Sequence, residues 1–233
     1  MAFLFNEEGV AELFCIFTQA RKRMSTNNTH NFEGCYIMQR EDIDRFADTL
    51  SDGFSRYRLF EYVCNDKYDH AKMKLFWRVS ISLIADNAIC IADSKQANSV
   101  LIYIRPKSKE PSIWAYLKGG GLKLMGKLGV RSAIRLLRFD LQAQRIAQRH
   151  RCDRGEDGYL MAFATRLNKQ GQGYGKPLIE ALLRYLDATG EGCYLETLKA
   201  ENVKLYEHFS FQLKEQYTTS ADIPLFAMYR HKK

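Results

Sequence analysis

Lys169-Gln170-Gly171-Gln172-Gly173-Tyr174-Gly175-Lys176 joins two segments of different character. Before it lies an apolar, strand-like run, Tyr159-Leu160-Met161-Ala162-Phe163-Ala164-Thr165, and after it an amphipathic stretch from Pro177 to Thr189 with helical periodicity. A strand, a glycine-rich turn and a helix start make an anion site. Glycine lets backbone N–H groups crowd an anion without side-chain clash, and the helix start adds orphan donors and a partial positive charge. Pro177 suits the first turn, where its missing N–H would have had no intrahelical partner. The expected occupant is a pyrophosphate or a similar polyanion.

Spacing narrows the choice. A Walker A loop needs Gly-x-x-x-x-Gly-Lys-Ser/Thr, but Gln170 stands where its first glycine belongs, and Pro177 follows Lys176 in place of the magnesium hydroxyl. The dinucleotide pattern Gly-x-Gly-x-x-Gly fails because Gly171, Gly173 and Gly175 alternate throughout. Gln-x-x-Gly-x-Gly does match, as Gln170, Gly173 and Gly175, and resembles the coenzyme A pyrophosphate loop of the GCN5-related N-acetyltransferase (GNAT) superfamily. Downstream, Cys193-Tyr194-Leu195-Glu196-Thr197 and Asn202-Val203-Lys204-Leu205-Tyr206-Glu207-His208-Phe209-Ser210-Phe211 resemble the family's second signature, Leu-Glu-Thr followed by Asn-x-x-x-Tyr-Glu-x-x-Gly-Phe. Ser210 stands where that pattern has glycine, which predicts a strained turn into Phe211.

The resemblance spans Cys35 to Arg230, is nearest to the puromycin-type small-molecule acetyltransferases, and implies an α/β fold. It is a three-layer α/β/α sandwich with a mixed, largely antiparallel sheet. The periodicity agrees. Cys35–Gln39 reads as a strand, and Asp42 as the cap of a helix carrying Ile43, Phe46, Ala47, Leu50 and Phe54 on one face. Asp69–Ile84 is a helix whose Met73, Phe76, Trp77, Ser80 and Leu83 read as core. Strands at Ala88–Ala92 and Val100–Ile104 and a turn at Lys107–Pro111 lead to two helices, Leu122–Leu128 and Arg131–Arg149. Further strands are expected at Phe211–Tyr217 and Leu225–Arg230. The expected organisation is an extension over residues 1–34 and an acetyltransferase domain over residues 35–233.

Residue roles follow from the resemblance. The cofactor strand would split from its neighbour to receive pantetheine, with backbone bonds from Phe163, Ala164 and Thr165. An N–H near Ala164 would polarise the thioester carbonyl. Gln170, Gly171, Gln172, Gly173, Tyr174, Gly175 and Lys176 would hold the pyrophosphate, and Asn202 would bond pantetheine or the acceptor side of the gap. Tyr206, four residues from Asn202 and so on the same helix face, is the candidate general acid; an ordinary tyrosine pKa of about 10 keeps it protonated. Glu196 is the best-placed base, although capping the next helix suits it equally, and His150 is a weaker choice. The implied reaction is direct transfer from acetyl-CoA to a primary amine of a small molecule, without a metal. The implied partners are acetyl-CoA and the amine; a homodimer is admitted and a membrane is not.

Composition sets bounds. The chain has 233 residues, 46% hydrophobic and 27% charged, with no long uninterrupted apolar run. Six cysteines without a Cys-x-x-Cys pair suit reduced thiols in the cytoplasm. Ten basic and two acidic residues between Lys118 and Arg154 carry an excess equal to the whole net charge of +8. Arg131, Arg135, Arg138, Arg145 and Arg149 read as the solvent side of a helix whose Ile134, Leu137, Leu141 and Ile146 face inward. Two alternatives stay open: a non-catalytic coenzyme A-binding domain, and a basic nucleic-acid-binding protein. At the N-terminus, apolar residues precede Arg21-Lys22-Arg23, the reverse of an export signal. That segment is either a docking helix or an appendage.

Overall fold

The computed structural model describes residues 32–108, 119–150 and 157–232. The extension before Phe32 and most of the turn at Lys107–Pro111 therefore lie outside the described residues. Seven strands form one sheet in the order β1-β2-β3-β4-β5-β7-β6. They are β1 (Tyr36–Ile37), β2 (Ala88–Ala92), β3 (Ser99–Ile104), β4 (Gly158–Thr165), β5 (Cys193–Thr197), β6 (Gln212–Thr218) and β7 (Pro224–Arg230). Every neighbouring pair is antiparallel except β4 and β5, which run parallel. The expected mixed, largely antiparallel sheet is what forms.

Helices cover both faces. On one side lie α1 (Ile43–Gly53), α2 (Arg58–Val63), α3 (His70–Ile84), α4 (Gly121–Leu128) and α5 (Val130–His150). On the other lie α6 (Lys176–Thr189) and α7 (Ala200–His208). The alternation of strand side chains divides the core accordingly. Cys90, Val100 and Ile102 pack with Phe46, Leu50, Trp77 and Ile81 beneath α1 and α3. Ile91, Leu101 and Leu195 pack with Leu178, Leu182 and Leu186 beneath α6. Over the far half of the sheet, Ala143 and Ile146 of α5 cover Tyr194, Leu225 and Ala227. β2 is buried on both faces, which is why Ala-Ile-Cys-Ile-Ala reads as an apolar run rather than an alternation.

Two expectations need correction. Asp42 does not cap α1 from its N-cap position. The chain enters α1 through a short 3-10 turn at Arg40–Asp42, and Asp42 reaches back from the third position to accept a hydrogen bond from the N–H of Gln39 at 2.9 Å. Tyr36 Oη and Arg45 Nη1 also donate to its carboxylate, at 2.6 and 2.7 Å. The second correction concerns α5, of whose expected inward residues Ile146 is buried but Ile134 is not. Ile134 is exposed, whereas Ser132, Ala143 and Ile146 are buried and Leu136 and Phe139 pack on the core. The inner face also carries Ser132 and Asp140, which apolar periodicity leaves out. Arg135 is likewise not simply solvated: its guanidinium sits 4.5 Å from the Tyr62 ring centre and donates to the Tyr62 carbonyl. That contact holds α5 against α2, a helix that the periodicity did not reveal.

Candidate active site

The parallel ladder between β4 and β5 is short. It pairs Gly158 with Cys193, Tyr159 with Tyr194 and Leu160 with Leu195, and there it ends. Beyond it β4 continues to Thr165 on β3 alone, and Glu196 and Thr197 of β5 pair with β7. A register shift marks the divergence: Ile102 of β3 faces Ala162 while Tyr103 faces Leu160, so Met161 is an extra residue in β4. Such a bulge bends its strand and resets the alternation of faces. Leu160 accordingly packs with α6 while Ala162, two residues on, packs with α1 and α3. The sheet is thus open between β4 and β5 where the strands part.

The glycine-rich turn stands at the end of β4, at the start of α6. Gly171 and Gly173 adopt φ of +75° and +83°, a region that side chains other than glycine enter at a cost. Gly175 is needed for a different reason: its φ is ordinary, but a Cβ there would stand 2.8 Å from Cζ of Phe163. The backbone N–H groups of residues 171–175 donate to no acceptor among the described residues. They therefore offer an anion cradle at the positive end of α6. Side chains brace it. Gln170 Nε2 donates to the Thr165 carbonyl at 3.1 Å and Gln172 Nε2 to the Asn168 carbonyl at 2.9 Å, so both glutamines fold back on the turn. Tyr174 holds its ring 5.9 Å from Nζ of Lys169, and Lys176 reaches Glu180 at 3.8 Å.

The root of the turn is tied to α1. Asp52 accepts from the N–H of Leu167 at 2.7 Å, and Arg166 pairs with Asp48 at 2.9 Å. Burial alone would raise the pKa of Asp48, but hydrogen bonds from Lys74, Arg166 and His70 hold it well below the usual carboxylate range. Ser99 Oγ donates to the Ala164 carbonyl at 3.2 Å and bonds Thr165 Oγ1 at 2.9 Å, fixing the end of β4. Of the three cofactor-strand residues, Phe163 is the one whose ring reaches the opening between the strands.

Behind the opening is a cavity of about 230 Å³. Its lining draws on both faces of the sheet, with Leu160, Phe163 and Tyr206 from the α6 and α7 side and Trp77, Leu136 and Ala162 from the other. Glu196, Asn202 and Tyr206 meet at this wall, so three of the expected side chains are brought together. Tyr206 is buried, its ring edge-on to Phe211 at 5.7 Å, and burial raises its hydroxyl pKa further above the ordinary value. Asn202 Nδ2 donates to Tyr57 Oη at 3.1 Å and to Thr197 Oγ1 at 3.0 Å. Glu196 accepts from Tyr194 Oη at 2.9 Å and Tyr159 Oη at 3.2 Å, which orient its carboxylate. It caps nothing.

The sequence reading missed Asp140. This residue of α5 lines the same cavity and accepts from Gln144 Nε2 at 2.6 Å. Burial, reinforced by the charge of Glu196, pushes its pKa up to about 7. One acid on the apolar side of an otherwise basic helix was the available signal. His150 is elsewhere, its Nε2 2.5 Å from Glu215 of β6. Among the described residues no cluster of three His, Cys, Asp or Glu side chains could hold a metal, and no helix is long and apolar enough to cross a membrane.

A splayed parallel strand pair, a glycine-rich turn at the next helix and a carboxylate-bearing cavity behind the splay are thus arranged along β4. Residues 131–211 match the model of the acetyltransferase (GNAT) family. An uncharacterized N-acetyltransferase of Schizosaccharomyces pombe, C550.08, is 22% identical over 204 residues, 83% of this chain and 81% of that protein. Among solved structures, one described as histone acetyltransferase HPA2 and related acetyltransferase, from Corynebacterium glutamicum, superposes with a TM-score of 0.61 at 17% identity. The match covers 85% of this chain and 96% of that one. A polyamine N-acetyltransferase of Drosophila melanogaster superposes with a TM-score of 0.55 at 9% identity, over 84% and 99% of the two chains.

Proposed function

We propose that the protein transfers an acetyl group from acetyl-CoA directly to a primary amine of a small molecule. The observation that carries this reading is the cavity behind the β4/β5 opening, which two carboxylates and a protonated phenol line. The residues present fit coenzyme A. The five N–H groups of residues 171–175 match a pyrophosphate, and the unpaired stretch of β4 beyond Leu160 offers backbone groups to a pantetheine arm. Acetyl-CoA, when bound, supplies an already activated acetyl thioester. The chain has to position the amine, take its proton and protonate the departing sulfur.

Asp140 and Glu196 act as one proton acceptor. Burial, with the charge of Glu196 adding to it, raises the Asp140 pKa to about 7, so Asp140 takes a proton readily near neutral pH. The acceptor nitrogen forms the C–N bond as the C–S bond breaks. The amine proton passes to the carboxylate pair, and Tyr206 donates its proton to the sulfur. No residue of the chain becomes acylated. Phe163 flanks the opening, where a backbone N–H near Ala164 would polarise the carbonyl, and Asn202 orients the acceptor side through its remaining amide oxygen.

Thermal melting tests the cofactor assignment. At one hundred times Kd, a ligand specific to the native state contributes about 2.7 kcal/mol, which corresponds to a rise of several degrees for a chain of this size. Gly173→Asp places a carboxylate in the cradle and should abolish the shift produced by acetyl-CoA. An unchanged shift in that variant removes the cradle from the binding site. Thiol release on adding a panel of primary amines then reports transfer.

A further inference from the structure

The outer face of α4 and α5 carries exposed apolar side chains among unpaired cations. Leu122 and Val130 are 65% and 69% exposed, and Met125 and Ile134 are exposed beside them. Leu124 and Leu128 take the buried side of α4, and Ser132, Ala143 and Ile146 that of α5, so the four exposed residues point away from the core. Gly129 alone joins the two helices, which pack on each other, so their outer faces are contiguous. Between Gly121 and His150 stand seven basic residues and one acid, Asp140, which lines the internal cavity instead. Arg135 is held by Tyr62 and Arg149 by Glu215. The other five, Lys123, Lys127, Arg131, Arg138 and Arg145, are exposed and form no ion pair among the described residues.

The two features together restrict the occupant. Nucleic acid would use the cations through its phosphates, yet its backbone gives Leu122 and Val130 nothing to bury against. A second copy seated on the same face would set these cations against their own equivalents. The upstream segment ends at Phe32, which packs with α6 on the opposite side of the sheet. An anionic lipid surface meets both requirements. Its headgroup boundary takes in apolar side chains while basic ones stay at the level of the phosphates. The expectation against a membrane came from the want of a spanning segment, and a peripheral contact needs none.

We propose that α4 and α5 dock the protein on an anionic bilayer. Leu122, Met125, Val130 and Ile134 enter the interface, and the five unpaired cations meet the headgroups. The contact is peripheral, and its electrostatic part weakens with salt. It engages the outer side of α5, so Asp140 on the inner side keeps its place in the cavity. The docking is independent of the acetyl-transfer reading and stands or falls without it.

Vesicle sedimentation with the full chain tests it. The protein should bind phosphatidylcholine vesicles that contain about 30% phosphatidylserine, release them as salt rises from about 0.1 to 0.5 M, and ignore pure phosphatidylcholine. Each cation near an anionic leaflet contributes about fivefold, so Lys123→Gln with Lys127→Gln and Arg131→Gln should lower the partition coefficient about 10²-fold. Leu122→Ser with Val130→Ser should lower it about tenfold at an unchanged melting temperature. Should either variant melt lower, Leu122→Trp replaces it: the added fluorescence should be quenched by brominated acyl chains, and its absence would count against insertion. No binding to the anionic vesicles, or binding that survives both variants, would overturn the inference. So would binding that depends on the cations but ignores the apolar pair. A DNA duplex bound more tightly than the vesicles would make this a nucleic-acid face, and a dimer lost in the apolar variant would make it a self-association face; either result overturns the lipid assignment.

Discussion

At the scale of single residues, Asp140 is where function and stability oppose each other. Its folded pKa of about 7 lies above the ordinary carboxyl value, so the folded state favours the protonated acid. The stabilisation is complete below the unfolded pKa and is lost as pH rises through about 7. Catalysis needs the opposite form. Thus kcat/KM should climb as pH passes through about 7 and then level off, a profile that initial rates between pH 5.5 and 9 would reveal. Asp140→Asn keeps the shape and removes the charge. It should raise the melting temperature at pH 8, raise it less toward pH 4, and flatten the activity profile at a low level. A variant that keeps the wild-type pH profile would take Asp140 out of proton transfer. Tyr206→Phe is the companion change: it keeps the ring contact with Phe211 but removes the acid, so kcat should fall about 10²-fold with acetyl-CoA affinity unchanged. Full turnover in that variant would leave the sulfur to be protonated by another group.

Between residues and whole chain, the elements that could be read directly were those specified by local sequence. The strand, turn and helix around Gly171–Gly175 follow from glycine and the apolar pattern on either side, and so do β5 and α7. What depended on packing across the fold was hidden. The inward face of α5 mixes Ser132 and Asp140 with apolar residues, so hydrophobic periodicity placed Ile134 inward and missed Asp140. The bulge at Met161 leaves no mark in an apolar run, although it decides where the sheet opens. Ser210 shows the reverse case, a local departure with a local outcome. It follows α7 with φ of +65°, and the N–H of Phe211 closes the turn on the Tyr206 carbonyl at 3.1 Å. A left-handed conformation costs a side-chain-bearing residue about 1–2 kcal/mol. Ser210→Gly should therefore raise stability by about 1 kcal/mol, less what glycine gives back through its freer unfolded state. Chemical denaturation would measure it, and a loss of stability would mean that Ser210 makes contacts worth more than the strain.

For the molecule as a whole, the question is how much of the chain the packed domain needs. Phe32 is the first described residue and already belongs to the core, stacked on Tyr185 of α6 at 5.5 Å and 4% exposed. The packed core thus includes a residue upstream of Cys35. Upstream, Phe3, Leu4, Phe5, Leu13, Phe14 and Phe17 are separated from Phe32 by Arg21-Lys22-Arg23 and by the polar stretch from Ser25 to Asn31. The domain buries its large apolar side chains without them: Phe46, Leu50, Ile91, Leu101, Ile102, Leu178 and Leu182 are at most 1% exposed. Four of the six exposed large apolar residues among those described, Leu122, Met125, Val130 and Ile134, are on α4 and α5, where an upstream apolar segment would have a surface to cover; Leu205 and Leu213 are on α7 and β6. Deleting residues 1–23 distinguishes an appendage from an integral helix. If Phe32 completes the domain, the shortened chain should melt within about a degree of the full one and show the same acetyl-CoA shift, since no described contact is removed. A loss of several degrees, or aggregation relieved by Leu122→Lys with Val130→Lys, would instead assign the upstream apolar residues to that exposed face.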